Sequence, residues 1–139
     1  MYEKLLVAVD HSKATERVLA AARDLALLSK GEVWVVHLRE REYAAKAGLV
    51  PSAETADDAH AQVDTAVNEL AEAGITAHGV VRNTLFGYAA REIIQEAKDV
   101  DADVIVMGSR GRGDLAGLLL GSTAHKVIHL ADRPVLVVR

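Results

Sequence analysis

Short apolar runs and helix-period stripes alternate along this chain from one end to the other, and no other feature restricts its fold as strongly. Leu5-Leu6-Val7-Ala8-Val9 is an unbroken apolar run, the pattern of a strand buried on both faces. The stripe after it, Val18, Leu19, Ala22, Leu25 and Ala26, returns with the period of a helix. Ser12 is placed to cap that helix and Gly31 to end it in a left-handed conformation. Residues 33–38 form a second strand, and residues 39–54 read as a surface excursion that opens with a charge run at 39–42 and passes through Pro51-Ser52. Thr55 and Asp58 have the spacing of a capping box. They open a helix that turns Ala59, Val63, Ala66, Val67 and Leu70 inward and stops at Gly74. A strand at 75–81, a helix from about 87 to 98, a strand at 103–107, a glycine-rich segment at 108–121, a helix at 122–130 and a last strand at 135–138 complete the series. Strand and helix alternating in this way predict an α/β fold: an open five-stranded parallel sheet with helices on both faces and right-handed crossovers. No repeat, linker or low-complexity tract divides it, so residues 1–139 read as one domain.

A chain of 139 residues is long enough to bury a core without covalent staples. It has no cysteine, which excludes disulfides and thiolate metal sites and fits a reducing compartment. Aromatic residues make up only 4%, so the core is to be built from Ala, Val, Leu and Ile. The net charge of −4 gives no field that favours nucleic acid. The apolar run after Met1-Tyr2-Glu3-Lys4 is too short for a signal peptide, and no stretch approaches the roughly 20 apolar residues of a membrane span. The expectation is a cytoplasmic protein with no membrane partner.

In open α/β sheets, ligands bind beyond the carboxyl ends of the strands where the strand order reverses, so the residues just after each strand are the candidates. Five of the ten glycines fall within residues 108–121, directly after a strand. Glycine there lets backbone N–H groups approach an anion without interference from Cβ. The segment ends where Ser122 and Thr123 open a helix, whose N-terminus favours phosphate. Arg110, Arg112 and Lys126 against Asp114 make this part of an acidic chain locally positive, the sign a polyphosphate requires. The pattern is neither a P-loop nor a dinucleotide fingerprint. A second candidate is Asp10, at the end of the first strand. Its carboxylate can accept from a ribose hydroxyl or merely cap the next helix, and the ribose role requires the first and fourth strands to be neighbours.

These residues resemble the universal stress protein family over nearly the whole chain. The family's ATP signature, G-x2-G-x9-G-[ST], is met by Gly108, Gly111, Gly121 and Ser122. The segments 104–111, 133–138, 5–10 and 36–38 look like its usual strands. The resemblance implies a strand order of 3-2-1-4-5, an adenine nucleotide α-hydrolase-like sheet. It implies ATP, carried with Mg²⁺, as the cofactor. Ala8, Val9 and Asp10 would line the adenosine site and Leu38 would wall the adenine. Met107 and Gly108 would flank the ribose, and Gly111, Gly121, Ser122 and Thr123 would cradle the phosphates. Arg110 and Arg112 join this set on charge alone. A homodimer through strand 134–138, a role in stress response and an unidentified regulatory partner are further implications.

No catalytic residue is expected. There is no nucleophile elbow and no pair of carboxylates at a strand end, so at most slow ATP hydrolysis is predicted. An adenylyl transferase or ATP pyrophosphatase of the same superfold would carry an H-x-G-H or S-G-G-x-D-S loop after the first strand, where this chain has Asp10-His11-Ser12-Lys13. A dimerisation module that has lost its nucleotide is the other alternative, and the intact glycine spacing speaks against it. His125 and His129 share a helix face without a third ligand, and His37 reads as a satisfied core histidine, so no metal site is expected.

Overall fold

The computed structural model describes all residues except 42, 45–47, 50–53 and 111–119. Its elements, in chain order, are β1 (Lys4–Val9), α1 (Thr15–Ser29), β2 (Glu32–Arg41), β3 (Tyr43–Ala44), β4 (Gly48–Leu49), α2 (Ala56–Glu72), β5 (Ala77–Leu85), α3 (Ala89–Asp99), β6 (Val104–Gly108), α4 (Ser122–Leu130) and β7 (Val135–Val138). Five strands form one parallel sheet in the order β5-β2-β1-β6-β7. Counting only those five in chain order gives 3-2-1-4-5, so β1 and the fourth long strand are neighbours. The strand order reverses between β1 and β6.

Alternation along each strand divides the core into two layers. Leu5, Val7 and Val9, Val33 and Val35, and Val104 and Val106 face α1 and α2, where Val18, Leu19, Ala22, Val63, Ala66 and Leu70 meet them. Leu6, Val36, Ile105 and Met107 face α3 and α4, against Ala90, Ile93, Ala97, Ala124 and Val127. A side chain such as Leu6, fully enclosed, contributes about 1.5–3 kcal/mol by leaving water. Small helix residues, chiefly alanine, let the helices lie close on the valine-rich sheet, so the near absence of aromatics is no obstacle.

Several local expectations are met and several are corrected. Thr55 and Asp58 form the capping box of α2, and Gly74 follows that helix with φ +84°. Ser12 does not cap α1, which begins at Thr15 behind Ala14 with no side-chain cap. The left-handed residue ending α1 is Lys30 (φ 56°), not Gly31. Gly31 is instead required by crowding, since a Cβ there would lie 2.5 Å from the Tyr2 carbonyl oxygen and 2.8 Å from Leu5 Cδ1. The third long strand runs on to Leu85 because β2 also continues, pairing Arg39, Glu40 and Arg41 with Asn83, Thr84 and Leu85. The charges at 39–41 are therefore half-buried strand residues, where the sequence suggested a solvated face. Within the supposed excursion, β3 and β4 pair antiparallel, Tyr43 with Leu49 and Ala44 with Gly48.

Candidate functional site

Where β1 and β6 lie side by side, their carboxyl ends open towards the turn after Val9 and the segment after Gly108. The first of these is shaped by Asp10. Its Oδ1 accepts from the Ser12 N–H at 2.8 Å and from the Thr15 hydroxyl at 3.2 Å, and its carbonyl accepts from that hydroxyl at 2.7 Å. Gln62 of α2 donates to the same carbonyl through Nε2. Asp10 thus organises the strand-to-helix turn without being the N-cap of α1, and the neighbour condition for its ribose role is met.

The remaining adenosine candidates divide by face. Ala8 and Leu38 are half-buried and pack with the layer that holds Met107, on the α3/α4 side. Val9 is buried in the opposite layer. Gly108 ends β6 under tight conditions, since a Cβ there would lie 3.1 Å from the Arg110 carbonyl oxygen and 3.5 Å from Val18 Cγ2.

The glycine-rich segment is tied at both ends. Ser109 is buried, and its N–H donates to the Val138 carbonyl at 2.8 Å. Its carbonyl accepts from the Gly121 N–H at 2.5 Å, so the chain that leaves at Ser109 returns to it at Gly121. Gly121 is the buried, extended N-cap residue of α4, with φ −71° and ψ 164°. Ser122 and Thr123 are the first residues of that helix, where backbone N–H groups have no intrahelical acceptor. Arg110 is exposed. Gly111 and Arg112 lie outside the described residues. Lys126 points its Nζ to the Gly87 carbonyl, 3.4 Å away.

One constellation was not legible in the sequence. His37, 3% exposed, places Nδ1 2.9 Å from the Val9 carbonyl and Nε2 2.8 Å and 2.9 Å from the two carboxylate oxygens of Glu54. His11 Nε2 lies 2.6 Å from Glu54 Oε1, and the two imidazoles meet edge to face at 5.3 Å. Burial pushes the Glu54 carboxyl up, but the hydrogen bonds from His37 and His11 outweigh it and hold the group below its ordinary range. Burial raises Glu40, against the opposing influence of His37. The three residues come from the β1–α1 turn, β2 and the approach to α2, so no local spacing announces them.

The family model for universal stress proteins matches residues 1–139. The universal stress protein YxiE of Bacillus subtilis is 32% identical over 151 residues, covering 100% of both chains. Universal stress protein MJ0577 of Methanocaldococcus jannaschii is 30% identical over 158 residues, covering 100% of this chain and 96% of that one. The solved structure of MJ0577 superposes with a TM-score of 0.81 at 25% identity, over 99% of this chain and 96% of that one. The universal stress protein of Archaeoglobus fulgidus, solved in complex with dAMP, superposes with a TM-score of 0.72 at 27% identity, over 99% of this chain and 98% of that one.

Proposed function

The chain belongs to the universal stress protein family, and from that premise we propose that it is a one-domain receptor for an adenine nucleotide, with ATP and its Mg²⁺ as the physiological guest. The observation that carries the proposal is the closure of the segment between Ser109 and Gly121 beside the end of β1. In this reading one ligand offers its phosphates to the start of α4, which follows Gly121, and its sugar to the Asp10 turn at the end of β1. The complex of the Archaeoglobus fulgidus relative with dAMP supports the choice of an adenine nucleotide.

In this reading Asp10 accepts from the ribose, and Ala8, Val9 and Leu38 border the adenine. Met107 and Gly108 flank the sugar. Gly111, Gly121, Ser122 and Thr123 present backbone and hydroxyl donors to the phosphates, with Arg110 and Arg112 adding charge. Donors at a helix start suit oxyanions in particular, and the glycines keep Cβ atoms out of the approach. Mg²⁺ would be held mainly through the nucleotide and would offset phosphate charge. Binding to the folded state alone stabilises it by mass action, and the bound and free forms would present different surfaces to a regulatory partner in a cytoplasmic stress response. The Asp10 carboxylate serves the sugar end, so hydrolysis is slow or absent.

Homodimerisation through residues 134–138 belongs to the same proposal. β7 is an edge of the sheet, and an open strand edge is satisfied by pairing across a two-fold axis.

Thermal denaturation with millimolar ATP and Mg²⁺ tests the binding: a rise in midpoint is expected, and an unchanged midpoint would overturn it. Excess absorbance at 260 nm in the purified protein is a second expected sign. Release of pyrophosphate from ATP would instead favour an enzyme of the same superfold.

A further inference from the structure

The Val9 carbonyl can only accept a hydrogen bond, so at 2.9 Å it fixes His37 Nδ1 as a donor. In the neutral ring, Nε2 then carries a lone pair, and that lone pair faces the two oxygens of Glu54 at 2.8 Å and 2.9 Å. His11 brings a second ring nitrogen to the same carboxylate, 2.6 Å from Oε1. His11 Nε2 can donate as a neutral N–H, but His37 Nε2 and the carboxylate do not meet as two acceptors at such distances without positive charge between them. The charge is supplied either by protons on the rings or by a cation that all three groups ligate.

We propose that His11 Nε2, His37 Nε2 and the Glu54 carboxylate bind one divalent transition-metal ion of the zinc class. The three donor atoms already lie within 4.8 Å of one another. Zinc holds imidazole nitrogen and carboxylate oxygen at about 2.0–2.2 Å, which in a tetrahedron separates ligands by about 3.3 Å. His11 must part from Glu54 by about 0.7 Å, which rotation of its exposed side chain can supply, and His37 from Glu54 by about 0.5 Å, which a turn of the Glu54 carboxylate can supply. The bond from His37 Nδ1 to a backbone carbonyl is the outer hydrogen bond that orients metal-binding histidines. Arg39 Nε donates to the Glu54 carbonyl at 2.9 Å and holds the main chain of that ligand in place. Three protein donors leave the fourth position of a tetrahedral ion to water.

This centre adjoins the proposed nucleotide site at Val9 and Asp10 but uses different side chains. His37 extends from β2 on the side of Val33 and Val35, towards α1 and α2, whereas Ala8, Leu38 and Met107 lie on the opposite side of the sheet. Nor would Mg²⁺ fill it, because Mg²⁺ prefers an all-oxygen octahedron and imidazole selects the later transition metals. A bound ion would join the β1–α1 turn, the middle of β2 and the residue just before the α2 cap.

The test uses the tag-free full chain, stripped with a chelator and titrated at neutral pH with Co²⁺ and no nucleotide. One Co²⁺ per chain with the visible absorption of a tetrahedral site is expected, displaced by Zn²⁺. His11→Ala and Glu54→Gln should each weaken Zn²⁺ binding at least about tenfold, with circular dichroism confirming that both variants remain folded. His37→Gln should do the same, and His11 is exposed enough to keep the test decisive should the buried variant fail to fold. Absence of the tetrahedral band would overturn the site and leave protons as the only charge there. Undiminished Zn²⁺ affinity in His11→Ala and Glu54→Gln would also overturn it, by assigning the ion to other histidines such as His125 and His129.

Discussion

Replacing Arg82 with methionine should remove a cluster of charges whose cost can be worked from its geometry. From β5 the guanidinium reaches Glu92 at 2.8 Å, Glu96 at 2.6 Å and Asp99 at 3.2 Å. Those carboxylates are spaced four and three residues apart, on one face of α3. The Arg82 side chain is 23% exposed and that of Glu96 8%, so this pair is largely withdrawn from water, while Asp99 at 52% is a solvated neighbour. Breaking a fully buried pair by deleting one partner costs about 3–5 kcal/mol. Partial exposure of Arg82 reduces that figure, and like charges left on adjacent turns restore about 0.2–0.5 kcal/mol per contact. Arg82→Met should therefore destabilise the protein by about 2–3 kcal/mol at pH 7, since methionine keeps much of the apolar stem. In urea this corresponds to a midpoint lower by about 1–2 M. Hydrogen bonds from Gln95 and Arg82 hold the Asp99 carboxyl below its ordinary value of 3.8. A carboxylate depressed in the folded state contributes stability above the unfolded value and loses it as pH falls through the folded one. The penalty of Arg82→Met should accordingly shrink below about pH 4. A loss under about 0.5 kcal/mol at pH 7 would refute the reasoning. So would an equal loss in a Glu96→Gln background, because the pair with Glu96 would then contribute nothing to it.

The remaining predictions concern packing, binding and assembly. Gly79→Ala places a Cβ 2.4 Å from Val63 Cγ1 and 3.2 Å from Val67 Cγ2, so α2 must lift from β5; urea denaturation should show a loss of about 1–3 kcal/mol. Gly121→Leu should abolish the thermal shift with ATP and Mg²⁺ while the far-ultraviolet circular dichroism stays native; a retained shift would remove Gly121 from the phosphate site. Leu136→Asp, at a β7 position 39% exposed, should turn a dimer into a monomer in sedimentation velocity, and an unchanged mass would place any dimer contact elsewhere.

The strands and helices of the sheet could be reached from the sequence because period is a local property, whereas the strand order was implied only by the family resemblance. A run such as residues 5–9 marks a doubly buried strand whatever it packs against, and the stripe from Val18 to Ala26 marks a helix in the same way. The Gly108, Gly121 and Ser122 spacing could be read for a similar reason: it is a pattern of positions along the chain that matches the family's signature. Residue types also located Thr55 and Asp58, whose reciprocal bonds span only three positions.

Other features depend on what lies across space, and no one-dimensional pattern carries that information. Gly31 looks like a helix stop, but crowding by Tyr2 and Leu5 explains it, and Lys30 takes the left-handed turn. The charges at 39–41 look solvated until β5 is found alongside them, and Glu96 looks like a surface residue until Arg82 covers it. His11, His37 and Glu54 converge only because β1 and β2 are parallel neighbours and the chain before α2 returns to their carboxyl ends. The sequence by itself determined the layers and the glycine spacing after the fourth long strand, through periodicity and short-range pattern. The tertiary structure alone decided which distant polar groups share a buried space, since pairing free energy depends on distance and desolvation, and neither is encoded by position along the chain.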